Sequence, residues 1–560
     1  MATVTFHSGM PVGLRVQALF SAIVGGVSYG NDAGMETASF RIMIYQYPED
    51  AFYAGPSISG EAGAVSYLRF GPASDPWLTI GALDGPVQFT YTDLVEFHGQ
   101  AAAAAAALSY DDHLIGSSHG DYMEGYGGDD LLDGRGGADT LGGGAGNDTY
   151  LVDHKDDRIA DEAGGGYDIV QTSVSFAMAP DAEIEELKAA SWASSLALTG
   201  NDFRNLIAGA SGNDVVDGKG GADTLIGGAG NDLYIVDDAF DLVLENDGGG
   251  YDTVVAFASY SLADHLEALK AAPGSSSVGL TGNELPNEII GNLGANDIQG
   301  LAGDDLLYGD GGNDNILGGE GLDVLYGGLG TDRLDGGSAI DRLFGDVGND
   351  VLKGAAGSDR LYGGSGNDSL YGGDGDDRLY GDVGQDHVDG GAGNDRLYGG
   401  TESNKLLGQI GRDTLYGGVH TDTLHGGDGS DKLYGDAGND HLDGGSGNDA
   451  LSGGWGRDIF IFRSPLDART NADTITDFNV QDDAIRLENK LFGKLGKPGG
   501  LNPDFFTIGS KAQDGNDHLV YNKNTGCLYY DPDGSGSRQP ILFVKLKANL
   551  AMSERDFYII

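Results

Sequence analysis

Between Asp305 and Asp458 the chain returns to one residue type every nine positions, through 18 successive units. That residue is Asp in all of them except at Asn404. Two positions earlier stands Gly, from Gly303 to Gly456, with Ala339, Glu402 and His420 as departures. Two positions later stands Leu, Ile, Val or Phe, from Leu307 to Phe460. A complete unit reads Gly363-Gly364-Ser365-Gly366-Asn367-Asp368-Ser369-Leu370-Tyr371, and Asn287 and Asn296 extend the register upstream in degraded form. Two shorter clusters carry the same pattern: Asp121, Asp130, Asp139 and Asp148, then Asp214, Asp223 and Asp232. A fixed short period means one small piece of backbone repeated and stacked on its neighbours. A disordered acidic linker would not hold Asp and Leu in phase over such a length.

The unit has its own physics. Gly-Gly-x-Gly-x-Asp suits a tight turn, because Gly tolerates positive φ and leaves carbonyls exposed. The remaining three residues form a short strand whose middle, apolar side chain points inward. Two nonapeptides then make one coil, and each turn lies on the turn 18 residues away. At the spacing of neighbouring strands, nine coils would measure about 43 Å. Carboxylates stacked at that spacing repel by about 3 kcal/mol per neighbouring pair at an effective dielectric near 20. A divalent cation between turns removes the penalty, and oxygen-only ligands select a hard ion, calcium. Metal binding would then supply folding energy.

The pattern resembles that of the RTX family, the hemolysin-type calcium-binding repeats, over most of residues 113–462. The resemblance implies an all-β fold, a parallel β-roll in which stacked turns hold calcium. The carboxylates that match the motif are Asp130, Asp139, Asp148, Asp214, Asp223 and Asp232, then Asp305, Asp314, Asp323, Asp332, Asp341, Asp350, Asp359, Asp368, Asp377, Asp386 and Asp395, and finally Asp413, Asp422, Asp431, Asp440, Asp449 and Asp458. The matching turn glycines are Gly128, Gly137, Gly212 and Gly221, then Gly303, Gly312, Gly321, Gly330, Gly348, Gly357, Gly366, Gly375, Gly384 and Gly393, and finally Gly411, Gly429, Gly438, Gly447 and Gly456. Ala339, Glu402, His420 and Asn404 mark turns expected to bind calcium weakly or not at all.

A second period of 18 residues is superimposed. The last position of alternate units gives Tyr308, Tyr326, Phe344, Tyr362, Tyr380, Tyr398, Tyr416 and Tyr434, an unbroken aromatic series. Arg342, Arg360, Arg378, Arg396 and Lys432 stand two residues before their aromatics. With the buried Leu between them, cation and ring share the outer surface of one sheet. Cross-strand aromatic and Arg–Tyr contacts would stabilise that sheet. The same face, Tyr308–Tyr434, could also dock a glycan, a cell surface or another copy of the chain.

The segments between clusters are copies of each other. Gly164-Gly165-Gly166-Tyr167-Asp168 recurs as Gly248-Gly249-Gly250-Tyr251-Asp252, and Leu198-Thr199-Gly200-Asn201 as Leu280-Thr281-Gly282-Asn283. Each reads as short β-branched strands, Ile169 to Ser175 and Thr253 to Ser259, within the same solenoid. The expected organisation is a small N-terminal β domain (1–100), a linker (101–112) with the run Ala101–Ala107, repeats (113–153), a linking segment (154–204), repeats (205–237), the copied segment (238–286), the long roll (287–462) and a C-terminal β cap (463–560). Strand-like runs in the cap are Ala472–Phe478, His518–Asn522, Cys527–Tyr530, Ile541–Leu546 and Asp556–Ile560. Asp473 to Phe478 and the ending Asp556 to Ile560 resemble the C-terminal domain of serralysin-like RTX proteins, which implies an uncleaved signal for a type I secretion apparatus. Asp531 to Gly536 could form one more calcium loop or a plain turn. Cys527, the single cysteine, excludes an internal disulfide and reads as core.

Acidic residues outnumber basic ones 87 to 32, for a formal charge of -55, so the chain would repel nucleic acid. The first thirty residues hold one basic group, Arg15, and no signal-peptide or membrane-span pattern. The runs Ser39–Tyr47, Ala64–Phe70 and Val87–Phe97 suggest antiparallel strands. No His-Glu-x-x-His stands anywhere in the chain. Gly116-Ser117-Ser118-His119-Gly120 matches Gly-x-Ser-x-Gly formally, but inside the first repeat rather than between strand and helix. Glu96 and His98 could pair as acid and base. The expectation is a secreted, calcium-binding protein of the cell surface or matrix, without a cleaved N-terminal signal, that folds on calcium outside the cell. The competing expectation is a hydrolase or polysaccharide-modifying enzyme carried on the repeats.

Overall fold

In a computed structural model the described residues are 111–560, apart from 117, 162 and 163, together with the backbone of six strands in the first 110 residues. The alanine run Ala101–Ala107, Arg15, Glu96 and His98 lie outside the described residues. The fold is all-β, a parallel β-solenoid, in two compact units, Met1–Ala258 and Ser259–Ile560.

The second unit shows the rule most plainly. Alternate strands enter alternate sheets, so Arg360–Ser365 lies between Arg342–Val347 and Arg378–Val383, whereas Ser369–Asp374 lies between Val351–Ala356 and His387–Ala392. All these pairs are parallel and offset by 18 residues: Leu361 faces Leu379, and Leu352 faces Leu370. Two nonapeptides therefore complete one coil. The middle apolar residue of each strand is fully buried, including Leu307, Leu325, Leu343, Leu361, Leu379, Leu397, Leu415 and Leu433. Each such side chain contributes about 2 kcal/mol of hydrophobic free energy. The strands run longer than three residues: Arg360–Ser365 has 6 and Lys405–Gly411 has 7. The two glycines after the aromatic stay extended and keep pairing with the coils above and below before the chain turns.

In the first unit the same register joins Leu131–Asp133, Thr149–Val152, Ile169–Thr172, Glu186–Ala189 and Leu206–Ala208 in one parallel sheet. The linking segment is thus a stretch of the solenoid itself, although its strand ends at Thr172, short of Ser175. Its copy begins with Thr253–Ala256, paired to Leu233–Val236. Before the repeats, Ile42–Gln46 pairs antiparallel with Phe52–Pro56, and Val65–Phe70 with Leu78–Leu83. Gln88–Thr90 instead runs parallel to both Thr3–Thr5 and His113–Ile115, so it adds a rung to the first sheet.

The C-terminal strands close the second unit. Asp473–Ile475 pairs with Ala450–Ser452, and Ala484–Leu487 with Ile459–Phe462, so both sheets gain a further rung beyond Phe462. Leu519–Asn522, Cys527–Tyr530 and Ile541–Lys545 then form an antiparallel meander, and Phe557–Ile559 pairs with Ala484–Leu487. Cys527 is half-exposed and not core. Alternation along its strand buries Leu528 and Tyr530 and turns Cys527 to the other face.

Candidate metal centres

Each turn is built by two backbone positions that ordinary side chains fit poorly. The second residue of the unit takes positive φ, as at Gly364 (97°) and Gly373 (110°). Where it is not Gly, Asp most often replaces it, at Asp310, Asp346, Asp382 and Asp436, with φ between 66° and 69°. The fourth residue is tighter. A Cβ on Gly366 (φ 136°) would stand 1.4 Å from the carbonyl oxygen of Gly348, one coil away. Ala339, Glu402 and His420 occupy this position at φ 84°, 61° and 79°, so the turn persists there against the strain that L-residues meet in the left-handed region.

The turn then presents the aspartate. One carboxylate oxygen joins neighbouring coils. Asp368 Oδ1 accepts the backbone N–H of Asp350 at 2.8 Å, and Asp386 Oδ1 accepts that of Asp368 at 2.9 Å. The bond repeats at every coil, tying each turn to the one before. The other oxygen has no such bond. Oδ2 of Asp305, Asp314, Asp323, Asp332, Asp341, Asp350 and their successors to Asp458 is buried with no hydrogen-bond partner among the described residues. It faces further acceptors: the place a Cβ would take on Gly354 lies 2.4 Å from Asp359 Oδ2 and 2.6 Å from the Gly372 carbonyl oxygen. Burial pushes the carboxyls of Asp305, Asp341, Asp377, Asp395 and Asp431 up to about 7, with the backbone N–H opposing and neighbouring aspartates adding to the shift. A buried charge among acceptors calls for a proton or a cation.

Asn404 supplies the internal comparison. Its Oδ1 accepts Asp386 N–H at 2.9 Å, as an aspartate would. Its Nδ2 occupies the other position and donates to the carbonyls of Thr401 (3.3 Å) and Glu402 (3.1 Å). Asn205 and Asn287 behave alike, donating to the carbonyls of Ile184 and Leu266. At each of these turns the carboxylate has become an amide, and N–H groups fill the place and bind the surrounding carbonyls. The aspartate turns lack that positive partner, and an all-oxygen donor set of carboxylate and carbonyls fits calcium.

Residues 110–150, 199–234 and, in overlapping stretches, 281–460 match the family described as RTX calcium-binding nonapeptide repeat (4 copies). This chain is an RTX repeat protein. No curated protein matches it. RTX repeats bind calcium, and the two sets of RTX turns in the second unit run as separate ladders. One contains Asp305, Asp323, Asp341 and onward to Asp449; the other contains Asp314, Asp332, Asp350 and onward to Asp458, with Asn404 interrupting it. In the first unit, Asp130 Oδ1 accepts Asp112 N–H, Asp139 accepts Asp121, Asp148 accepts Asp130 and Asp232 accepts Asp214, in the same arrangement. Asp214 differs, since its Oδ2 accepts the Ala210 N–H at 3.2 Å.

The RTX ladders are longer than the nonapeptide count. Asp157, Asp168, Asp241 and Asp252 take the same position in the first unit, and Asp473 and Asp483 extend the two ladders of the second, accepting the N–H groups of Asp449 and Asp458. Irregular spacing hides them in the sequence. The usable signal is the triplet Asp-x-apolar, as in Asp473-Thr474-Ile475 and Asp483-Ala484-Ile485. In Asp531 to Gly536, Asp533 Oδ2 accepts the N–H groups of Ser537 and Arg538, which is the arrangement of a plain turn. Gly116 follows the strand His113–Ile115 and leads into another strand, Tyr122–Gly127, not a helix. No helix among the described residues is long and apolar enough to cross a membrane.

Proposed function

We propose that the chain is an exported protein whose repeats fold on meeting extracellular calcium, with the ions held by the turn aspartates and glycine carbonyls. The observation that carries this is the ladder of buried, partnerless Oδ2 atoms, filled by an amide at Asn404. Calcium is scarce inside cells and abundant outside, so the ladders would stay charged and unfolded before export. The C-terminal cap, with its serralysin-like sequence, is the part we assign to recognition by a type I secretion apparatus. A role at the cell surface or in the matrix follows from the aromatic face. Tyr308 to Tyr434 form one continuous stack, with centroids 4.7–5.0 Å apart and planes within 9°. Circular dichroism of the full chain in chelator tests the calcium reading: millimolar calcium, but not magnesium, should convert coil to β-structure. Full β-content in chelator at pH 8 would defeat it.

A further inference from the structure

Two turns in the first unit break the nonapeptide in the same way. From Asp148 to Asp168, and from Asp232 to Asp252, the ladder steps 20 residues instead of 18. The extra length falls in the second turn of the coil, and there the first glycine of the unit is replaced by an acid, Asp161 in one copy and Glu245 in the other. An ordinary turn could not admit either side chain. A Cβ on Gly143 would lie 2.0 Å from Asp148 Oδ2, and one on Gly227 would lie 2.1 Å from Asp232 Oδ2. Lengthening the turn makes the room, and in both copies the room is filled with a carboxylate.

That carboxylate is held in place. The apolar position two residues after the ladder aspartate is Tyr150 in one copy and Tyr234 in the other, both fully buried. The Tyr150 hydroxyl donates to Asp161 Oδ1 at 2.8 Å and accepts the Gly143 N–H at 2.9 Å. The Tyr234 hydroxyl donates to Glu245 Oε1 and accepts the Gly227 N–H at 2.6 Å. Oxygen atoms of Asp232, Glu245 and Asp252 lie within 4.8 Å of one another. Asp232 is 2% exposed, and its Oδ2 has no hydrogen-bond partner among the described residues. In the earlier copy the Oδ2 atoms of Asp148, Asp161 and Asp168 are all buried without such a partner, on residues 0%, 7% and 0% exposed.

We propose that each triad, Asp232–Glu245–Asp252 and Asp148–Asp161–Asp168, encloses a divalent cation of its own, calcium by the hardness of its donors. It differs in kind from the repeat sites. An ordinary turn offers one side-chain carboxylate and backbone carbonyls, whereas three carboxylates converge here and a buried phenol orients one of them. The exchange of Asp161 for Glu245 between copies keeps the charge while altering the reach.

The proposal rests on the calcium reading of the repeats, and the test separates the two. Native mass spectrometry of the calcium-loaded full chain should count two fewer ions in the double variant D161N/E245Q than in the parent. The double variant D161E/E245D should keep the parent count. Equal counts for D161N/E245Q and the parent overturn the triads alone, and a parent that takes up no calcium overturns the calcium reading with them. Crystals of the unsubstituted chain grown in calcium give a readout independent of how the variants fold. Anomalous peaks inside both triads support the proposal, and their absence there overturns it.

Discussion

Asn404 differs from the residues one coil above and below it by an amide nitrogen in place of a carboxylate oxygen, and the local structure changes accordingly. Restoring the carboxylate should therefore create a site. N404D is expected to bind one more calcium, to gain stability in calcium and to lose about 1–3 kcal/mol in chelator, where an unsatisfied buried acceptor replaces two hydrogen bonds. Ion counting and thermal melts in both conditions check this. The fourth-position glycine allows a second test on single residues. G366A drives a methyl against the Gly348 carbonyl and should cost more than about 2 kcal/mol. A339G relieves an existing strain and should raise stability by about 1 kcal/mol. Denaturant unfolding in calcium measures both. At this scale the sequence is a good guide wherever the period holds, since glycine at a fixed place announces the backbone it serves. It is silent on Asp161 and Glu245, because nothing in a single acidic residue says that a turn two residues longer has brought it beside two others.

At the scale of elements, the sheet faces are legible for a simple reason. Leu361 must point inward if Arg360 and Tyr362 flank it, so an 18-residue rhythm of rings becomes a row on one outer surface. The measured stack bears out that reading. Removing one ring from its interior should cost two stacking contacts. Y362A is expected to lower stability by about 1–3 kcal/mol in calcium while leaving the number of bound ions unchanged, a combination that a melt and an ion count together resolve. Strand lengths are less legible. The paired glycines read as turn residues, yet they extend the ladder, because parallel neighbours of identical sequence offer each backbone group a partner at the same height. The cap strands stand out almost to the residue through their β-branched and aromatic runs, but Ala484–Leu487 is masked by polar neighbours.

Across the whole molecule the charge of -55 sets the terms of folding. With ladder carboxyls near 7 in the fold and near 3.8 when exposed, the folded chain holds protons that the unfolded chain gives up. The stability conferred by those protons is complete below pH 4 and lost as pH rises through 7. In chelator, lowering the pH from 8 to 5.5 should therefore restore part of the β-structure that calcium provides at neutral pH. Calcium uptake near pH 6.5 should release protons. Circular dichroism and proton release in unbuffered solution measure the two effects.

The aromatic row has one more consequence. Rings 4.7–5.0 Å apart on a parallel, in-register sheet reproduce the repeat of a cross-β fibril within a single chain. Flat dyes that report amyloid lodge along such rows, reading the surface groove rather than the length of the fibre. The calcium-loaded chain should thus light up thioflavin while remaining soluble, and the signal should vanish in chelator. Its C-terminal edge is covered by the antiparallel strands that follow Ile475, so the row ends where a fibril would recruit its next molecule.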